Sequence, residues 1–225
     1  MLRVALVLVA VFALLAAGCG SDDKQAAPPP PSPDPGREVM RAFVAAAADG
    51  DAETAWELLS QPSQGRAGPT LEEFEEKTFP ELRRTLAPFA GGKLPVEVSE
   101  RIDDQFGIVA LSRGGDAYAT PLRLEGDVWR VELPGPVRIE VLGPPPGSRG
   151  KFVQQIGVEK HGPGGAGVAV LYLDGVTLDP RTSSSPEGAT IFANFANSLE
   201  PGLHTAVAFT SSGGNAAARA WTFYP

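Results

Sequence analysis

The chain has 225 residues, 43% of them hydrophobic and 20% charged, with a formal net charge of −8. That acidic balance, with no basic patch in either half, argues against a nucleic-acid partner and against electrostatic docking on anionic lipid. A single cysteine, Cys19, excludes an intramolecular disulfide. The first element is an apolar run at the N-terminus. Arg3 supplies a short positive start, residues 4–17 carry no charge, and Leu14-Leu15-Ala16-Ala17-Gly18 leads into Cys19. This is the anatomy of a secretory signal. The run is also shorter than the about 20 residues of an ordinary spanning helix.

These residues resemble a bacterial lipoprotein signal. Ala16 departs from the Leu that the family most often carries three places before its cysteine. The resemblance implies that 1–18 is a signal peptide that is removed, and that Cys19 is the lipidation site, bearing several acyl chains such as palmitate. The mature protein is then expected to be extracytoplasmic, anchored to the cell membrane by lipid. One acyl chain alone would hold only marginally, so several are needed for permanent attachment.

Residues 19–36 hold six prolines and, beyond Cys19, no large apolar side chain, which predicts a disordered tether. Extended at about 3.1 Å per residue, it spans roughly 55 Å. Charge then divides the rest. Residues 19–135 carry 21 acidic and 12 basic side chains, whereas residues 136–225 carry 6 of each. The break coincides with Pro134-Gly135-Pro136 and with a change of hydrophobic period, so two domains are expected, 37–134 and 135–225.

In the first, Val39, Phe43, Ala46 and Ala47 share a helical face that stops at Gly50. Asp51 caps a second helix carrying Ala52, Ala55, Trp56 and Leu59. Thr70 and Glu73 form a capping box for a third helix, with Pro80 as a kink, after a loop rich in Gly, Pro and Gln. Glu72, Glu73, Glu75 and Glu76 in its first turns suit the helix dipole and read as a solvated acidic face. From residue 94 the period becomes 2. Four antiparallel strands are predicted around Val96, Val98 and Ile102; Phe106, Ile108 and Ala110; Tyr118 to Leu124; and Trp129, Val131 and Leu133.

The opening helix, the Gly50-Asp51 turn, Trp56-Glu57-Leu58-Leu59-Ser60 and the closing Asp127-Val128-Trp129-Arg130-Val131 resemble NTF2-like domains of bacterial lipoproteins. The resemblance implies an α+β cone, three helices on a curved antiparallel sheet around a pocket. Enzymatic members use a buried Asp, His or Tyr, whereas this region has no histidine and one tyrosine, Tyr118. Asp103, Asp104, Asp116 and Asp127 sit in predicted turns, where capping explains them. Phe43, Trp56 and Trp129 are expected to pack the interior.

In the second region, six short strands between Gly, Pro, Ser and Asn clusters predict an all-β sandwich. The run 199–207, Gly213-Gly214-Asn215 and the closing Trp221-Thr222-Phe223 resemble bacterial Ig-like repeats. Ser211 and Ser212 stand where many such repeats have Asp, which argues against calcium. His161, in a glycine-rich loop, and His204, at a strand start, are too few for a metal site. No GxSxG, HExxH, CxxC or phosphate-loop pattern occurs.

The reading that follows is a lipid-anchored cell-envelope protein acting as a non-catalytic binding or scaffolding module. It implies a membrane attachment through Cys19, a protein or cell-wall partner, and neither cofactor, metal nor catalytic residue. The alternatives are a small-ligand carrier or sensor using the NTF2-like pocket and, third, an enzyme with a buried carboxylate in that pocket.

Overall fold

A computed structural model describes residues 34–150, 153–195 and 198–225. The signal, Cys19 and nearly all of the tether lie outside the described residues. Helix α1 (Pro35–Asp49) starts two residues before 37, because the Asp34 side chain accepts from the amides of Gly36 and Arg37 and proline occupies the first turn. It ends at Gly50, whose φ of 78° is the left-handed conformation that glycine adopts without penalty. α2 (Ala52–Glu57) is capped by Asp51. The expected loop after it is instead α3 (Gln61–Ala67), started by the Ser60 side chain on the Ser63 amide, with Pro62 in its first turn. The expected third helix is two helices, α4 (Leu71–Lys77) and α5 (Phe79–Leu86). Pro80 begins α5 rather than kinking one continuous helix, since a proline in the first turn forfeits no hydrogen bond.

Strands β1 (Val96–Arg101), β2 (Phe106–Arg113), β3 (Asp116–Glu125) and β4 (Val128–Val131) form an antiparallel meander in that order. β5 (Arg138–Gly143), β6 (Gln155–His161), β7 (Val168–Leu173), β8 (Val176–Leu178), β9 (Arg181–Ser185), β10 (Gly188–Asn194), β11 (His204–Ser212) and β12 (Asn215–Phe223) follow. They make two more sheets, β5-β6-β10-β9 and β12-β11-β7-β8. Taken in chain order, these match the ABED and GFCC′ sheets of an Ig-like sandwich, so this β-rich region resembles an Ig-like fold. The sequence pattern does not announce β8 and β9. Every residue of β9 is exposed, so the strand shows no alternation.

The expected NTF2-like cone does not form. Among the described residues, twelve strands in three antiparallel sheets, with five short helices, are richer in β structure than such a cone. The physical reason lies in β2, which is apolar on both faces. Val109 and Leu111 pack with α1, α4 and α5 around Met40, Phe43, Phe74 and Phe79. Phe106, Ile108 and Ala110 pack on the other side against Tyr172, Val207 and Phe209 of the sandwich. A sheet buried on both faces needs a cover on each. The helices provide one cover and β12-β11-β7-β8 the other, and that second sheet in turn buries its far face against β5-β6-β10-β9.

The contact between the first sheet and the sandwich is built from small residues. Ala110, Ala117 and Ala119 meet Ala216, Ala218 and Ala220. Polar links ring it: Tyr172 Oη donates to Glu100 Oε2 at 2.9 Å, Thr222 Oγ1 to the Gly115 carbonyl at 2.7 Å, and Ser211 Oγ to Asp103 Oδ2 at 3.1 Å. Residues 33–225 are accordingly one compact unit.

Candidate functional site

The side chains that the sequence singles out are mostly structural. Phe43, Trp56 and Trp129 belong to the core under the helices. Tyr118 joins them, and burial pushes its hydroxyl up to about 12. The Asp103 carboxylate accepts from the amides of Gln105 and Phe106 at 2.8 and 2.7 Å, closing the β1–β2 turn as the turn reading requires. Glu73 pairs with Lys77 on the surface of α4 at 3.1 Å. The space that a cone would keep for a ligand is filled by Met40, Phe43, Phe74, Phe79, Leu86 and Phe89.

Two buried charges escape the sequence reading. Glu132, 2% exposed, follows β4 beneath α3. Its Oε1 accepts from Arg66 Nη2 at 2.9 Å and Arg123 Nη2 at 3.2 Å, and its Oε2 from Arg123 Nε at 2.9 Å and from Ser60 Oγ. Burial alone would push this carboxyl up. The hydrogen bonds from Arg123, Ser60 and Arg66, with the Arg123 charge, outweigh it and hold Glu132 below the usual carboxylate range. Ser63 Oγ completes the group, 2.8 Å from Ser60 Oγ, accepting from Arg66 Nη2 at 3.0 Å and the Leu133 amide at 2.8 Å. Arg123 also donates to the Gly214 carbonyl at 2.8 Å, in the β11–β12 turn. One carboxylate therefore ties the helices, the first sheet and the sandwich together. Its only sequence signal is a lone acid between Val131 and Leu133.

Lys160, fully buried, is the second charge. Its ammonium donates to the carbonyls of Pro163 at 2.8 Å, Gly162 at 3.4 Å and Gly165, so it gathers the loop after β6 around itself. Burial pulls its pKa down. Here a signal exists in the sequence: Lys160 continues the inward alternation of Ile156 and Val158.

The histidines are placed apart. His204 Nδ1 lies 2.6 Å from Asp174 Oδ2 and Nε2 lies 2.7 Å from the Glu200 carbonyl, both of them acceptors. Both ring nitrogens must then donate, which describes an imidazolium. Burial lowers the pKa, and the Glu200 carbonyl with Asp174 more than offsets this, leaving it raised. His161 projects from the outer face of β6, with Glu140 Oε2 at 3.1 Å. It separates two surface depressions. One, of about 260 Å³, runs along Ser183, Ser185 and Thr190. The other, of about 500 Å³, lies between β5 and Arg219 of β12. Among the described residues no group of three or more His, Cys, Asp or Glu side chains is arranged to hold a metal, and no helix is long and apolar enough to cross a membrane.

No protein-family model matches the chain, and no curated protein matches it. Among solved structures it is similar to "Anomalous substructure of Titin-A168169", at 14% identity over 60% of this chain and 76% of that chain. The TM-score is 0.27, a likeness too weak to carry an argument.

Proposed function

We propose that this chain is an extracytoplasmic, lipid-anchored cell-envelope protein that works as a non-catalytic binding or scaffolding module. The observation that carries the reading is where the ionisable groups are spent. Glu132 is saturated by two guanidinium groups and a hydroxyl, Lys160 by carbonyls and His204 by two acceptors, so each is committed to holding elements together. Among the features open to a partner are surface grooves of the sandwich. The carrier and buried-carboxylate readings needed a cavity under the helices, and aromatic side chains occupy that space. Lipid attachment at Cys19 and the extracytoplasmic location rest on the residues around that cysteine.

The test expresses the full chain in a bacterial host fed an alkyne-tagged fatty acid. Label that is retained in the membrane fraction and lost in Cys19→Ser supports the anchor, and an unlabelled wild type sinks it. Photo-crosslinkers placed along the sandwich grooves, compared with others on α4, then read out binding. Crosslinks to one recurring envelope component from the grooves alone are expected, and no specific adduct from either surface would overturn the module.

A further inference from the structure

The edge strands β5 and β12 face each other across one open side of the sandwich. At one end the chain closes this side itself, by laying the loop 144–150, which turns between Pro145 and Ser148, against β12. The Gly147 amide donates to the Thr222 carbonyl at 2.7 Å, the Tyr224 amide to Ser148 at 2.8 Å and the Gly150 amide to Tyr224 at 2.9 Å. Trp221 Nε1 donates to the Pro144 carbonyl at 2.9 Å beneath it. Among the described residues no backbone hydrogen bond continues this pairing past Thr222 toward Ala220 and Ala218. Beyond Pro146 the seam opens into the groove of about 500 Å³.

Its floor is Ile139 and Val141, inward-facing residues of β5 that stay half-buried because nothing overlies them at the seam. Its rim is cationic. Arg219 lies in register with Ala208 and Leu171, in the row that faces the sandwich interior, yet it is exposed, since it stands at the open edge. Arg138 is also exposed, and among the described residues neither arginine makes an ion pair. The rim acid, Glu140, is engaged by His161.

We propose that this groove docks an extended acidic peptide segment of a partner protein, its apolar side chains seated on Ile139 and Val141 and its carboxylates paired with Arg138 and Arg219. The inference rests on the binding-module reading and names the surface and the partner chemistry. The shape follows from the edge of β12, which the 144–150 loop pairs only at Thr222 and Tyr224, since strand addition to an open edge is a general mode of peptide capture. Alternate residues of a strand point to opposite sides, so one register presents apolar groups to the floor and acids to the rim. The sign follows from two guanidinium groups without an ion-pair partner among the described residues, against one carboxylate, Glu140, in the same groove.

The test titrates the full chain, in detergent micelles, into a dye-labelled heptapeptide of alternating Val and Glu, followed by anisotropy. The same peptide with Lys for Glu is the control. The acidic peptide is expected to bind and the Lys peptide not. The double variant Arg138→Glu, Arg219→Glu is expected to keep its thermal midpoint, weaken the acidic peptide by about tenfold at low salt and gain affinity for the Lys peptide. Equal binding of both peptides, or indifference to the reversal, overturns the proposal. If Arg219 serves only to keep edges of separate copies from pairing, Arg219→Ala will self-associate while wild type ignores the peptide. A cell-wall glycan that binds where the peptide does not also overturns the acidic-peptide proposal, while leaving the module reading in place. Failure of every probe and of groove crosslinking would remove both.

Discussion

The helix-covered region and the sandwich each bury one charge, and they neutralise it by different means. Glu132 is met by opposite charges brought from α3 and β3, and Arg123 reaches on to the β11–β12 turn. Lys160 is met by neutral carbonyls within five residues of itself. The first solution joins elements far apart in the chain, and the second shapes one loop. A buried ion that loses its partner is costly in either case, but only the first carries that cost across layers.

The largest effect that would break this contrast comes from Glu132→Ala. It leaves Arg66 and Arg123 without their carboxylate and is expected to cost about 3 kcal/mol, lowering the thermal midpoint by roughly 6–12 °C. Hydrogen exchange should rise in α3, in β3 and in the β11–β12 turn together. Exchange confined to α3 would show that the cluster does not couple the layers. Acid gives a second view of the same group. A carboxyl held below its unfolded value contributes stability above about pH 4.5, and that stability is lost as pH falls through its lowered folded value. Wild type should therefore lose more stability than Glu132→Ala over that acidic interval.

Lys160→Met is expected to be smaller, about 1–2 kcal/mol, because the carbonyls it releases lie in a loop that water can reach. Exchange should quicken for amides of 162–167 and stay unchanged in β2. A change in β2 would mean that the cage supports the whole sandwich. Smallest is His204. Its pKa is raised on folding, so its contribution is complete below about pH 6.5 and is lost as pH rises through the folded value. The neighbouring acids are Asp174, bonded to the ring, and Glu97, whose carboxyl is raised by burial and by the Asp174 charge. Calorimetry from pH 6 to 9 should show a modest fall in midpoint that His204→Gln abolishes. An identical fall in the variant would assign it elsewhere.

Of the candidate surface, the sequence disclosed only fragments. Arg138 and Ile139 read as a strand start and Arg219 as one charge in a small-residue strand. Their meeting depends on β5 and β12 becoming opposed edges. The same holds for Glu132, whose partners Ser60, Arg66 and Arg123 are dispersed along the chain.

What the sequence determined by itself is local. Asp51 and Thr70 cap their helices, Gly50 ends α1, and the turns at Gly114-Gly115 and Gly126 separate strands where the period of 2 places them. Each of these signals acts through hydrogen bonds and torsions within a few residues, so it is readable in one dimension. Tertiary structure alone decided the layering: that both faces of β2 are covered, that alanines let the first sheet approach the sandwich closely, and that the space under the helices is filled. Those outcomes depend on which apolar faces find each other across long chain separations, and burying both faces of a sheet yields stacked layers where a sheet with one apolar face could have curved around a cavity.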